Sequence, residues 1–413
     1  MSHLPIPSLV PMEIVKGVDT GRETRTRAGD GVGSTPKVAL FTDSDVFAGT
    51  ERHILDLAEG LRELGVLVQI ACPVPSPLAE MARGRKLTVM AIEKGGPIDL
   101  GAIRKLGALF RSGELDLVHA HNGRTALSSV LAAAWAGNGC PVFTQHFVEP
   151  GRMRCGRIQR FLKAVVHRFV NRRIDRFIAI SAAVREAMLA RADAPLERIA
   201  TVPNGIPQPD IASFQNPAAM RAQFGIAENA PLVACVARLE LEKDIPSLIG
   251  AMERLAVTNP ELRCVIAGDG SQREVLERQV ENSRLARNVI MAGFRPDAMA
   301  VINACDVFVL PSPAEPFGLV VLEAMALGKP VVAINNGGPV EIVVQDETGI
   351  LVPASNPNAL ASAIRKLIES PNEAASMGRA GQRRMQDRFS QSRMAREIMS
   401  AYESALLVAA RKS

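Results

Sequence analysis

The sequence predicts an α/β protein built from two doubly wound domains that face each other across a cleft. Three observations carry this. Short apolar strands alternate with amphipathic helical stretches, the alternation runs twice, and a proline-containing stretch without periodicity separates the two runs. At 413 residues the chain is long enough for two such units. Its 47% apolar and 22% charged content is that of a globular enzyme, and no apolar run approaches the roughly 20 residues of a membrane span. The N-terminus shows no charged-then-apolar leader, so cytoplasmic placement is the expectation, with peripheral attachment to the inner face of a membrane as the variant.

Residues 1–35 are rich in Pro, Gly, Ser, Thr and charge, and are predicted to be a disordered tail. The first domain is expected over 36–206. Its strands are Val38–Thr42, Val66–Ala71, Leu87–Ile92, Leu117–Ala120, Val142–Gln145, Phe177–Ile180 and Ala200–Val202, with helices such as Glu51–Leu64, Leu100–Phe110 and Arg124–Ala136 between them. Residues 207–230 read as the connection. The second domain, 231–388, has strands Leu232–Val236, Cys264–Ala267, Val289–Ala292, Val307–Leu310, Val331–Ile334 and Ile350–Val352. In residues 389–413 the stretch Gln391 to Ala410 is a long amphipathic helix whose partner the pattern does not name. Six scattered cysteines without a Cys-x-x-Cys pair read as buried thiols, not as disulfides or a zinc site.

The most informative stretch runs from Pro311 to Pro330. Before it, Asp306 to Leu310 reads as a buried parallel strand that stops at the prolines. A helix is predicted to open near Pro316–Gly318 and close at Leu327, with Gly328 as the residue just past its end and Pro330 blocking continuation. The amides of Gly318, Leu319 and Val320 would then project from the positive end of that helix, where an anion is stabilised. Glu315 lies in the loop before it. Glu323, on the second turn, leans back toward the same end. Either glutamate alone reads more readily as a capping or solvated acid. An anion cradle with two carboxylates suits a ligand that carries both phosphate and vicinal hydroxyls, such as a ribose and a hexose joined by a diphosphate.

The whole string, Glu-x7-Glu around Pro-Phe-Gly and then Glu-Ala-Met-Ala-x-Gly-x-Pro-Val, resembles the signature of the retaining nucleotide-sugar glycosyltransferases of family 4. The resemblance implies the GT-B fold, two Rossmann-like doubly wound domains facing a cleft, with the last helix crossing back onto the first domain. It implies metal-independent transfer of a hexose, without a cofactor, from a UDP- or GDP-linked donor to a sugar, glycolipid or polysaccharide acceptor. In the second domain it assigns Arg238 and Lys243, within Val-Ala-Arg-Leu-Glu-Leu-Glu-Lys-Asp, to the leaving diphosphate. Two cations there offset about two negative charges. It assigns Glu315 to the sugar, Glu323 to the ribose, and Gly318, Leu319 and Val320 to the phosphates. Gly268, in Ala-Gly-Asp-Gly, lines the cleft as a turn that lets a ligand approach the backbone. In the first domain it places Gly49 near the donor phosphate and sugar, although the first of the family's two glycines is here Ala48. His146 matches the family's Thr-x-His segment beside the reacting carbon. The catalytic set implied is therefore Glu315, His146, Arg238 and Lys243.

Other patterns need separate readings. Asp43-Ser44-Asp45 is an Asp-x-Asp, which holds a metal in another glycosyltransferase fold. Here it follows the first strand and reads as a polar cleft loop. His119-Ala120-His121 puts two rings on one strand face, as zinc could use, with His146 or an acid as third ligand; no metal is the expectation. The net charge of +5 is modest, but Arg152 to Arg176 concentrates nine basic residues against Asp175, beside an apolar side formed by Phe161, Leu162, Val165, Val166, Phe169 and Val170. It reads as a helix docked on its own domain, or as a contact with an anionic lipid surface or acceptor. Nucleic acid is not expected, since one Trp and one Tyr offer no stacking platform. A nicotinamide dehydrogenase is disfavoured by the missing Gly-x-Gly-x-x-Gly turn after the first strand. A nucleotide-sugar epimerase, a phosphorylase or a non-catalytic nucleotide-sugar binder shares the two-domain shape and stays open.

Overall fold

The computed structural model describes residues 35–96, 98–148 and 157–412, so the tail expected over 1–35 lies, but for its last residue, outside the described residues. The first seven strands are β1 (Lys37–Phe41), β2 (Leu67–Cys72), β3 (Thr88–Ala91), β4 (Leu117–Ala120), β5 (Cys140–Gln145), β6 (Arg176–Ala179) and β7 (Ile199–Thr201). They form one parallel sheet in the order β3-β2-β1-β4-β5-β6-β7. Six more are β8 (Leu232–Val236), β9 (Arg263–Ala267), β10 (Val289–Gly293), β11 (Val307–Leu310), β12 (Val331–Ile334) and β13 (Gly349–Val352). Their sheet, also parallel, has the order β10-β9-β8-β11-β12-β13. Each strand order reverses beside the first strand of its sheet, between β1 and β4 and between β8 and β11. A crevice opens there at the carboxyl ends, because the crossovers on either side leave in opposite directions.

The crossover helices of the first sheet are α1 (Gly49–Glu63), α2 (Pro77–Gly84), α3 (Leu100–Ser112), α4 (Gly123–Ala136), α5 (Arg157–Arg173) and α6 (Ala182–Ala190). The second half adds α7 (Pro217–Gln223), α8 (Ile245–Thr258), α9 (Arg273–Asn282), α10 (Ala298–Ala304), α11 (Leu319–Ala326), α12 (Pro339–Ile342), α13 (Pro357–Glu369), α14 (Pro371–Arg388) and α15 (Gln391–Ala410). Helices cover both faces of each sheet, which is why strands such as β4, β11 and β12 are buried along their whole length.

The connection is more ordered than its sequence suggested. It contains α7, whose Asn216 side chain caps the Ala218 amide at 2.8 Å and whose Met220 is fully buried. The neighbouring Arg221 guanidinium is also buried, donating to the carbonyls of Ala304, Glu228 and Ala230 and pairing with Asp306 at 3.0 Å. Seven helical residues opened by a proline are too few to display a period.

The chain returns to the first sheet at its end. Ile206 donates to the Phe389 carbonyl at 3.0 Å and accepts from the Gln391 amide at 2.9 Å. Helix α15 then packs on α1, β5 and β6, sinking Met394, Ile398, Ala401, Tyr402 and Ala405 into the core that β1 and α1 build. A further apolar cluster crosses between the halves, joining Ala120, Phe177 and Ile180 to Leu310, Phe317 and Leu322. The five described cysteines are free and buried.

Candidate active site

The site is assembled at the two crevices. Strand β11 ends at Leu310, and Gly318 caps α11 in a left-handed conformation, φ +107°, that an L side chain rarely adopts. Among the described residues the amides of Gly318, Leu319 and Val320 have no protein partner; the first helix-directed bond comes from Val321 to the Gly318 carbonyl, at 2.9 Å. The positive end of α11 therefore carries free donors. The loop after β12 presses on the same turn. Gly338 donates to the Glu315 carbonyl at 2.8 Å, and a Cβ on it would lie 2.1 Å from Phe317 Cα.

Lys243 follows β8 in a short helical turn and reaches this tip. Its Nζ sits 2.6 Å from Glu315 Oε2, with both side chains only 15% exposed. Arg238 does not join them: it pairs with Glu242 at 2.8 Å and is 61% exposed. Gly268 does not open toward a ligand either. A Cβ there would meet the Ala237 carbonyl oxygen at 1.8 Å, so neighbouring backbone, not cleft, fills the space that the missing side chain leaves.

Across the cleft, a Cβ on Gly49 would stand 3.8 Å from Leu319 Cδ1, so the opening residues of α1 and α11 face each other. Ala48 is extended, φ −143° and ψ −162°, a conformation open to any residue, and its amide donates to Glu51 Oε2 at 3.0 Å. Alanine in place of the family's glycine therefore costs the turn nothing.

The two glutamates have different neighbours. Glu323 is half-buried one turn into α11, near Arg52 and Asp56 of α1. Burial pushes its carboxyl up to about 7, against the pull of the Arg52 charge and with the push of Asp56. Arg52 is itself held by Asp56 at 3.1 Å, and Arg85 bridges Asp56 and Glu59 at 3.2 and 2.8 Å. Glu323 also walls a cavity of about 460 Å³ between α1, residues 206–215 and the start of α10, a volume within the range of small-ligand sites. Glu315 and Lys243 do not line that cavity.

His146 is buried one residue past β5. Its Nε2 lies 3.1 Å from Nδ1 of His121, which is one residue past β4. His119 and His121 do stand on one side, with ring centroids 4.3 Å apart. His119 is nevertheless unavailable as a ligand, because its Nδ1 bonds Tyr402 Oη at 2.7 Å and its Nε2 bonds Thr144 Oγ1 at 2.6 Å. The third ring at His121 and His146 is His53 of α1, which sequence reasoning missed. The signal was available, since His53 shares the buried stripe of α1 with Leu57 and Leu61. Burial holds all three imidazoles neutral: His53 falls to about 4, and His121 and His146 drop well below the ordinary value.

The Asp-x-Asp pair is divided between separate partners. Asp45 binds Lys94 at 2.6 Å, while Asp43 binds Arg124 at 2.7 Å and accepts from Asn122 at 2.7 Å. The basic segment falls partly outside the described residues, including the side chains of Phe161 and Leu162. In the described part the expected docked side is shorter than its pattern: Val170 is buried and Phe169 half-buried, but Val165 and Val166 are exposed. No described helix is long and apolar enough to cross a membrane.

Two family profiles match in sequence over these same two halves: Glycosyltransferase Family 4 over residues 47–208, and Glycosyl transferases group 1 over 217–384. A glycogen synthase of Mycobacterium tuberculosis is 33% identical over 308 residues, 73% of this chain and 72% of its own length. The chain belongs to the family-4 glycosyltransferases. This glycosyltransferase is also similar to the alpha-maltose-1-phosphate synthase of Mycolicibacterium smegmatis, 28% identical over 402 residues, 89% of this chain and 98% of that one. In structure it resembles HepE of Anabaena, solved in complex with UDP-glucose, with a TM-score of 0.77 at 25% identity over 89% of this chain and 99% of that one. The two-sheet architecture of the glycosyltransferase is thus the GT-B fold.

Proposed function

We propose that the protein is a retaining, metal-independent hexosyltransferase that moves a sugar from a UDP-linked donor, or its GDP counterpart, to an acceptor hydroxyl in polysaccharide or glycolipid synthesis. The observation that carries this is the convergence of the α1 and α11 openings, with Lys243 and Glu315 at the tip. The relative named glycogen synthase and the neighbour solved with UDP-glucose support a UDP-linked hexose ahead of the GDP alternative.

The donor diphosphate binds the free amides of Gly318, Leu319 and Val320. Lys243 exchanges Glu315 for a phosphate oxygen, and Arg238, paired with exposed Glu242, turns in to complete the charge. These groups supply the positive charge a divalent ion would otherwise bring. Glu315, released, accepts hydrogen bonds from the sugar, and Glu323 accepts from the ribose. Gly49 gives the sugar room at α1, and Gly268 acts indirectly, keeping its loop against Ala237. As the bond from the anomeric carbon to the diphosphate breaks, the acceptor hydroxyl bonds to the same face, beside His146. Attack on that side puts the acceptor's proton next to the departing phosphate oxygen, which takes it. Closure of the two domains keeps water out. The exposed Val165 and Val166, with Lys163, Arg168 and Arg172 around them, support attachment to an anionic membrane surface.

A thermal-shift panel of UDP, GDP, ADP and their sugars, with and without chelator, tests the reading. One nucleotide series should stabilise the fold by about 2.7 kcal/mol at a hundredfold excess over Kd, and chelation should not reduce it. Stabilisation by none of them refutes donor binding, and an isomerised sugar formed without acceptor would favour the epimerase.

A further inference from the structure

We propose that His53, His121 and His146 form a binding site for a divalent transition-metal ion of the zinc type, and that its occupancy shuts off transfer. Three elements bring the rings together: α1, the end of β4 and the end of β5, around the crevice at the reversal of strand order. The three are 2%, 2% and 6% exposed, and one ring nitrogen from each lies within 4.8 Å of the others.

The spacing suits a metal. Two nitrogens bound at about 2.0–2.1 Å to a tetrahedral ion stand about 3.3 Å apart. His121 Nδ1 and His146 Nε2 are already 3.1 Å apart. The His53 ring centroid is 5.0 Å from that of His146 and 5.5 Å from that of His121. Both nitrogens of His53 and Nε2 of His121 are buried without a hydrogen-bond partner. Native interiors rarely leave such atoms unsatisfied, and an ion that takes the lone pair of one His53 nitrogen removes part of that deficit. The Asn204 side chain lies by His53, and its buried Oδ1 also lacks a partner. It can accept the N–H of one His53 nitrogen while the other binds metal, the arrangement that orients metal-bound imidazoles.

Three neutral nitrogens without a carboxylate favour Zn²⁺, Co²⁺, Ni²⁺ or Cu²⁺ over Mg²⁺ or Ca²⁺, which take oxygen ligands. Coordination at the two facing nitrogens requires the proton between His121 and His146 to leave the gap. It moves to the far nitrogen of whichever ring carries it, with no net release. The ion would then hold His146 away from the reacting carbon. Binding is independent of the proposed donor chemistry, and only the inhibition rests on it.

The test uses the full chain, free of any histidine tag and stripped with chelator, then titrated with Co²⁺ and Zn²⁺. We expect one ion per chain and the intense visible absorption of tetrahedral Co²⁺. His53→Ala and His53→Gln should lose both while keeping the wild-type circular dichroism, and the control His167→Ala, altered at the exposed histidine of α5, should keep both. Zn²⁺ should lower transfer at least tenfold in the wild type, reversibly on chelation, and leave the ratio of rates with and without Zn²⁺ near one in His53→Ala. Less than a tenth of an ion per chain, or binding unchanged in both His53 variants, overturns the site. Stoichiometric binding without loss of transfer overturns the shut-off and, with it, the placement of His146 at the reacting carbon.

Discussion

Glu323 should make the protein lose stability as pH rises from about 4.5 to about 7. Its carboxyl titrates near 7 when folded and near the ordinary 4.5 when unfolded. Between those values the folded chain keeps a proton that the unfolded chain has released, so unfolding gives up a proton and rising pH favours it. At 1.36 kcal/mol for each tenfold change in proton affinity, the gap corresponds to on the order of 3 kcal/mol. Glu323→Gln keeps the shape and removes the titration. The variant should match the wild type at pH 4 and exceed it by up to that amount at pH 8. The buried neutral histidines lose stability in the opposite direction, as pH falls, and subtracting the variant's curve cancels them. Donor binding should show the converse. If, as proposed, ribose hydroxyls donate to the ionised carboxylate, wild-type affinity should fall toward tenfold for each pH step below about 7, while the variant binds weakly and evenly. Urea unfolding at five pH values from 4 to 8, with donor titrations at the same values, measures both. Parallel stability curves for the two proteins would refute the raised Glu323 carboxyl.

Three further variants have defined outcomes. Lys243→Met leaves Glu315, only 15% exposed, without its cation. It should cost about 1–3 kcal/mol of stability and about 10²- to 10³-fold in turnover. Arg238→Ala breaks only an exposed pair and should move the urea midpoint negligibly while still cutting turnover; equal turnover in it and the wild type would remove Arg238 from the reaction. Tyr402→Phe strands His119 Nδ1 in the core, so about 1–3 kcal/mol of stability should go with unchanged donor affinity, read by urea unfolding and donor titration.

Much of the scaffold was legible because its signals are local. Strands β4, β8, β11 and β12 and helix α15 coincide residue for residue with the apolar runs that predict them. The strand runs are bounded by turn residues and covered on both sheet faces, and the helix carries one buried stripe, so periodicity and composition agree. The tip of α11 was legible for the same reason: Gly318 and Gly328 carry positive φ at its two ends, where glycine is favoured. The pairings at the site were not. Lys243 and Glu315 are 72 residues apart, and Glu323 feels the Arg52 charge only because the halves face each other. No sequence period encodes either contact. His119 and His121 looked equivalent by spacing, but Tyr402 and Thr144, from α15 and β5, take up one and leave the other. The exposure of Val165 and Val166 was likewise invisible, because an amphipathic pattern names an apolar face without naming what covers it.

The site divides its charge between the two halves, and the proposed reaction needs that division. Cations and helix-tip amides stand on the second half, where negative charge accumulates on the leaving diphosphate. On the first half, the proposed reaction brings the sugar to imidazoles kept neutral by burial. A protonated histidine there would repel the cation-like sugar that forms as the diphosphate departs, and at the low dielectric of a closed cleft that repulsion would be large. In the proposed reaction, the burial that leaves His53 without hydrogen-bond partners would hold the acceptor face uncharged across the pH range in which Glu323 ionises. Lowering the pH enough to charge that face would also protonate Glu323, so donor binding should fail before the histidines ionise. The acid limb of the transfer profile should then appear in KM near pH 7 and reach kcat only well below it.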